Sequence, residues 1–282
     1  LQSKCLVTLL ANRLDKVFEK LSSENRKAFV SFAVAGFPNE KQSLEIAKTI
    51  IESGVDIHEI AYPHAEAQAD GPIIQMANIE SLKNGIDMDK IISMAKELRN
   101  YNQNVGLVMM GYLNNIFVYG IEKFAKAVSG IIDGMIIVDL PNDVDEYNKI
   151  TDALQKENIS LIKLITPTTS DKRIKEIVKD ASGFIYSVNV EGITGVKAAK
   201  IENVNEQISR IKKFTSVPTV AGFGIKTRND VKNFSKSAAD GIVIGSSIVE
   251  QINNLSKSET NNTDLKEKMF EYCKDLTESL KL

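Results

Sequence analysis

The sequence predicts a single (β/α)8 TIM barrel of the α/β class, on three observations. Short runs rich in β-branched residues recur eight times, with helix-patterned segments between them. Most of these runs are continuously apolar rather than alternating, as parallel strands buried on both faces are. Glycine turns close the last two strand-to-helix junctions, where barrels commonly hold an anion. A chain of 282 residues is a length that one such barrel fills.

The elements follow in order. Leu14–Leu21 reads as an amphipathic helix ahead of the first strand, placed to close the barrel floor. Phe29–Val34 is the first strand and Glu40–Ser53 its helix. Val55–Ile60 is the second strand. The gap after it is long enough for two helices, Ile73–Lys83 and Asp89–Arg99, so one is extra. The third to fifth units pair Val105–Met110 with Ile121–Val128, Gly134–Asp139 with Val144–Glu157, and Ser160–Ile165 with Lys172–Lys179. Gly183–Val188 with Val204–Phe214, then Pro218–Ala221 with Arg228–Ser237, make the sixth and seventh. Gly241–Ile244 is the eighth strand and runs straight into a helix. The polar stretch Ser256–Asn262 precedes a C-terminal helix, Leu265–Leu280, and is too short for an interdomain linker. Residues 13–282 therefore read as one domain, with 1–12 as an N-terminal tail.

Composition narrows the function. Hydrophobic residues at 43% and charged residues at 26% suit a globular chain with a sizeable core. A net charge of −2 gives no electrostatic footprint for nucleic acid or an anionic membrane. No apolar run approaches the roughly 20 residues that span a bilayer. Cys5 and Cys273 lie far apart in the sequence, without CxxC spacing, so the expected setting is a reducing cytoplasm rather than a disulfide framework. His58 and His64 are the only histidines, too few for a His-rich metal site or a His-based triad, and no metal is expected.

Two carboxylates and two glycine turns carry the chemistry. Glu59 ends the second apolar run, at the barrel mouth, where burial favours a protonated carboxyl able to give and take a proton. Asp70 lies in the following loop, before Gly71-Pro72, and reads either as a substrate ligand or as a turn former. His58 neighbours Glu59 on the strand, so its side chain points to the opposite face and reads as structural. Asp139, ending the fourth strand, reads as a loop anchor, and Tyr112 and Asn114 share the rim. Gly222-Phe223-Gly224 and Gly245-Ser246 offer backbone N–H groups to a phosphate, with Gly192-Ile193-Thr194-Gly195 as a third turn over the same anion. Lys163, inside the fifth run, is the one lysine a Schiff-base mechanism could use, unless the run sends it outward.

Taken in order, these stretches resemble the tryptophan synthase alpha subunit family. The resemblance runs from about Leu14 to Ile252. It is carried by Gly36-Phe37-Pro38, Ala69-Asp70-Gly71-Pro72, Met110-Gly111-Tyr112-Leu113-Asn114, Val138-Asp139-Leu140-Pro141, Gly192-Ile193-Thr194-Gly195 and Gly222-Phe223-Gly224-Ile225. It implies retro-aldol cleavage of indole-3-glycerol phosphate to indole and glyceraldehyde 3-phosphate without a cofactor. Glu59 would be the acid–base, Asp70 the carboxylate on the indole N–H, and Tyr186 the tyrosine beside Glu59. Gly195, Gly224, Gly245 and Ser246 would cradle the phosphate. Phe32, Tyr112, Ile136, Val138, Ile165, Thr194 and Phe223 would line the indole slot. A beta subunit is the implied partner, in an α2β2 assembly. The chain departs from the family between its carboxylates: His64-Ala65-Glu66-Ala67 stands where the family reads Phe-Ser-Asp-Pro, in a loop that relatives use toward the beta subunit. Two other readings stay open here: another phosphate-binding barrel such as indole-glycerol phosphate synthase, and a weakly active subunit that mainly binds and activates its partner.

Overall fold

The computed structural model describes residues 11–141, 144–188, 201–222, 224–258 and 262–280. Its strands are β1 (Ala28–Val34), β2 (Ile57–Ala61), β3 (Gly106–Gly111), β4 (Gly134–Ile137), β5 (Ser160–Leu161), β6 (Lys163–Ile165), β7 (Ile185–Val188), β8 (Thr219–Gly222) and β9 (Gly241–Ile244). They form one parallel sheet in the order β5-β4-β3-β2-β1-β9-β8-β7-β6. The two ends of that order, β5 and β6, are consecutive pieces of one run broken at Ile162. The sheet therefore curls on itself into a barrel of eight staves, with β8 and β9 as the seventh and eighth.

Side chains alternate across this wall. Val30, Ile57, Val108, Ile136, Ile162, Phe184, Val220 and Val243 fill the lumen, while a larger cluster packs between the strands and the surrounding helices. The helices are α1 (Arg13–Ser23), α2 (Glu40–Glu52), α3 (Pro72–Lys83), α4 (Met88–Tyr101), α5 (Leu113–Tyr119) and α6 (Ile121–Ala127), followed by α7 (Asp145–Lys156), α8 (Asp171–Ile177), α9 (Ile201–Lys212), α10 (Arg228–Phe234), α11 (Ser246–Ser258) and α12 (Asn262–Leu280).

The floor is closed as the sequence predicts. An Asn12/Asp15 capping box starts α1. Leu14, Phe18 and Leu21 then plug the lumen from below. Leu14 sits so close to two strand starts that a Cβ on Gly106 or Gly134 would fall 2.8 or 3.0 Å from its methyl groups. Asn12, read above as tail, is buried and donates to the Asp133 carbonyl at 3.1 Å and to Ser160 Oγ at 2.9 Å, so it belongs to the barrel. Beside it Arg99 holds the buried Asp133 carboxylate at 2.6 Å.

One element went unforeseen. The third stave is followed by two short helices, α5 and α6, rather than one. No seven-residue segment carries a legible helical period. Its start is set instead by a distant partner, Asp139, whose Oδ1 accepts the Leu113 N–H at 2.7 Å. Asp139 thus anchors a loop, as expected. At the other end α12 lays Leu265, Met269, Cys273, Leu276 and Leu280 into the outer core, beside α2 and α10.

Candidate active site

β2 brings the acidic centre to the mouth. Its five residues are all buried. Ile57 points into the lumen, so Glu59, two residues on, lies on the same face. In register, Phe32 of β1 and Val108 of β3 flank Glu59. Both carboxyl oxygens are buried without a hydrogen-bond partner among the described residues. Burial alone pushes Glu59 up to about 8, so the group rests as the neutral acid. His58 faces the other way. Its Nδ1 lies 2.9 Å from Ser31 Oγ, and burial pushes it down to about 4.

Tyr186 closes the opposite side. β7 sets it in register between Leu164 and Val220, and its ring lies against the backbone of Gly222. Burial, then the negative charge of Glu59 and of Asp70, holds its phenol well above the usual range. Its ring belongs to the lumen cluster, on the face to which Glu59 points.

Asp70 is held from two elements. Its Oδ2 accepts from Tyr112 Oη at 3.3 Å and from Asn78 Nδ2 at 3.3 Å. Tyr112 Oη in turn accepts the Ala69 N–H at 3.0 Å. Burial raises the Asp70 carboxyl above its ordinary value, and the two donors and the nearby His64 only partly offset this. Tyr112 is itself fixed: its carbonyl accepts from Tyr62 Oη at 3.2 Å, and the buried Tyr62 ring packs on Gly111.

The late turns meet on the same rim. Gly224 has φ +65, and a Cβ there would enter open space. Gly245 leads directly into α11 with the Phe32 ring against it, and Ser246 is the first residue of that helix. Ser247 Oγ donates to the Ile225 carbonyl at 3.1 Å and so ties the two turns together. Gly195, Thr194 and Phe223 lie outside the described residues.

Ile136 is buried in the lumen and Val138 packs against the same cluster. Ile165 is a correction. It sits outside the barrel wall with Ile174, Ile177, Val178, Ile185 and Ile211, and the adjacent Leu164 is the residue that faces the lumen. The two-residue alternation runs unbroken through this stave, with Ile162 and Leu164 inward and Leu161 and Ile165 outward. Lys163 also points outward. Its ammonium lies 4.4 Å from the Tyr147 ring centroid, bonds the Tyr147 hydroxyl, and stands 3.6 Å from Asp180. A Schiff-base lysine on this strand is thereby removed, and with it the argument for a lysine-dependent synthase.

Two positioning residues, Asn78 and Tyr62, escaped the sequence reading, and Gly222 is legible there only as part of an anion turn. Asn78 left a signal, an asparagine amid apolar helix residues eight positions after Asp70, where it is 2% exposed. Among the described residues there is no group of three metal-ligating side chains, and no helix is long and apolar enough to cross a membrane.

Known proteins share this architecture. A family model described as tryptophan synthase alpha chain matches residues 18–280. A structure from Aquifex aeolicus VF5 is 30% identical, covering 95% of this chain and 99% of its own, with a TM-score of 0.84. The crystal structure of tryptophan synthase alpha chain from Legionella pneumophila subsp. pneumophila is 28% identical, covering 96% and 98%, at a TM-score of 0.85. A structure of Mycobacterium tuberculosis tryptophan synthase, 24% identical over 97% of this chain and 100% of its own, has the same fold at a TM-score of 0.85.

Proposed function

The chain belongs to the tryptophan synthase alpha chain family, and from that premise we propose that it cleaves indole-3-glycerol phosphate to indole and glyceraldehyde 3-phosphate. One observation carries the reading: among the described residues the fully buried Glu59 carboxyl has no hydrogen-bond partner, on the lumen face that it shares with Tyr186. Evolution tolerates such a group where its proton is used.

The proposed steps follow from these positions. Glu59, resting as the acid, gives its proton to the indole ring carbon that bears the glycerol chain. The ring becomes an indolenine cation, whose N–H Asp70 binds as a carboxylate. Glu59, now a carboxylate, takes the proton of the adjacent glycerol hydroxyl. The carbon–carbon bond breaks, its electron pair returns to the ring as neutral indole, and the former carbinol leaves as the aldehyde. Glu59 is again protonated, so no net proton is consumed. Tyr186 stands beside both carboxyls through these steps. Gly224, Gly245 and Ser246, with Gly195, would hold the phosphate by backbone N–H groups, a hydroxyl and the start of α11. Phe32, Tyr112, Ile136, Val138 and Leu164, with Thr194 and Phe223, would line the indole slot.

The same premise supports a beta subunit as partner, in an α2β2 assembly, with the 62–68 loop near the contact. The decisive experiment incubates the purified chain with indole-3-glycerol phosphate, alone and with a beta subunit, and measures indole and aldehyde released. Stoichiometric products that vanish in Glu59→Gln support the proposal; no indole under either condition refutes it.

A further inference from the structure

His64 stands in the stretch where this chain departs from its family, and its side chain is not idle. The imidazole stacks on the Tyr112 ring, with centroids 4.7 Å apart and planes 20° from parallel. Its Nδ1 lies 3.0 Å from Asn115 Oδ1. Asn115 uses Nδ2 to donate to the Pro63 carbonyl at 3.2 Å, so its oxygen is the acceptor and His64 Nδ1 carries the hydrogen. The ring is thus clamped between the first turn of α5 and the Tyr112 face. Tyr112 is the residue whose hydroxyl donates to Asp70 while accepting from Ala69.

We propose that His64 is a positioning residue for Asp70, acting through the stacked Tyr112 phenol, and that its charge state sets how readily Asp70 stays ionised. The inference rests on the assignment of Asp70 to the substrate ring nitrogen. Two effects run through the contact. The stack and the Asn115 bond fix the Tyr112 ring, and hence the direction of its hydroxyl toward Asp70 Oδ2. A second proton on Nε2 leaves the Nδ1 bond intact and adds a positive charge beside the carboxylate. That charge opposes the burial that raises Asp70. Among the described residues, the titratable groups around this network are Glu59 on β2, Tyr62, His64 and Asp70 between β2 and α3, Tyr112 after β3, Asp139 beyond β4, and Tyr186 on β7. Asp139 is committed to the Leu113 N–H. His64 is therefore the group able to bring positive charge to this cluster among those named.

The test compares wild type with His64→Phe, which keeps a stacking ring but loses the Nδ1–H and the charge, and with His64→Ala, which loses all three. Turnover of indole-3-glycerol phosphate is followed from pH 5 to 9, and the Asp70 carboxyl is titrated by carbon-13 NMR without substrate. His64→Phe should move the Asp70 midpoint and the acid limb of kcat/KM to higher pH. His64→Ala should also cut kcat/KM about fivefold, within the range for members of one hydrogen-bond network. Combined with Tyr112→Phe, His64→Ala should cost less than it does alone, because the hydroxyl that the stack aims has been removed and only the charge effect remains. An unmoved Asp70 midpoint in His64→Phe, or fully additive losses in the double variant, overturns the proposal. If wild type releases no indole while the Asp70 midpoint still moves, the coupling stands and the assigned reaction falls.

Discussion

His58 and Glu59 are consecutive on β2, fully buried on opposite faces of one strand, and both held neutral. Their effects on stability have opposite signs. Glu59 has a folded value near 8 against an ordinary 4.5, so it favours the folded state below 4.5 and loses that contribution as pH rises to about 8. His58 has a folded value near 4 against an ordinary 6.5, so its contribution is present above 6.5 and lost as pH falls toward 4. Between 4.5 and 6.5 the two slopes cancel. From 6.5 to 8 only the Glu59 slope remains, up to about 1.4 kcal/mol per pH unit. Urea unfolding of wild type against Glu59→Gln across pH 5 to 9 should show the variant gaining relative stability with rising pH. A constant difference would mean that Glu59 ionises freely in the folded barrel.

The same residue sets the activity profile. Glu59→Gln should bind indole-3-glycerol phosphate with nearly unchanged affinity and lose at least about a hundredfold in kcat, the scale of a general acid–base. Because Glu59 must start as the acid, wild-type kcat/KM should fall on the alkaline side with a limb near 8. Steady-state indole release from pH 6 to 10 measures both. A limb far from 8 would separate the burial of Glu59 from its catalytic role.

Asp70→Asn tests the ligand reading against the turn-former reading. The asparagine oxygen can occupy the Oδ2 position and still accept from Tyr112 and Asn78, so the loop should fold unchanged. The negative charge opposite the indolenine is lost, and kcat should drop by about 10²-fold or more, as when an electrostatic stabiliser is removed. Circular dichroism and turnover, measured together, separate the two readings. An unfolded variant would return Asp70 to a structural role.

Much of this was legible because it rests on local pattern. Eight apolar runs fixed the barrel, and the two-residue period placed Glu59 inward and His58 outward without any structure. The failures lie elsewhere. Ile165 enters the slot by resemblance rather than by period, whereas Ile162 and Leu164 face the lumen and Leu161 and Ile165 the outer packing in unbroken alternation. α5 is capped by Asp139 from another stave, and Asn78 reaches back from α3, so both depend on contacts across the fold. Gly222 read as part of an anion turn, yet its described neighbour is the Tyr186 ring.

That close approach predicts a Gly222→Ala phenotype. A Cβ at this position would fall 2.8 Å from Tyr186 Cε1 and 2.9 Å from its hydroxyl oxygen, nearer than real Cβ contacts come. The ring is buried, with the Phe184 ring 6.5 Å away centroid to centroid, so relieving the contact moves it within a packed lumen. Overpacking of this kind typically costs about 1–3 kcal/mol. The expected result is a folded protein with a lower melting temperature and reduced kcat, read by calorimetry and indole release. Wild-type kcat in Gly222→Ala would show that the Tyr186 position is immaterial to the reaction.

Gly224 offers the cleanest separation of binding from chemistry. Its φ of +65 is a conformation that β-branched residues avoid, and among the described residues, chain neighbours aside, no atom lies within 4 Å of where a Cβ would stand. A Cβ at 224 would therefore meet none of the described residues beyond its chain neighbours and would enter the open space proposed for the phosphate oxygens. Gly224→Val should raise KM for indole-3-glycerol phosphate strongly and weaken inhibition by inorganic phosphate in parallel. Gly224→Ala should do both to a smaller degree, because the strain at positive φ is shared but the added volume is less. The fall in kcat should be minor in each, since Glu59, Asp70 and Tyr186 are held by other staves. If both variants raise KM while phosphate inhibits as in wild type, the loss comes from backbone strain and the anion binds elsewhere.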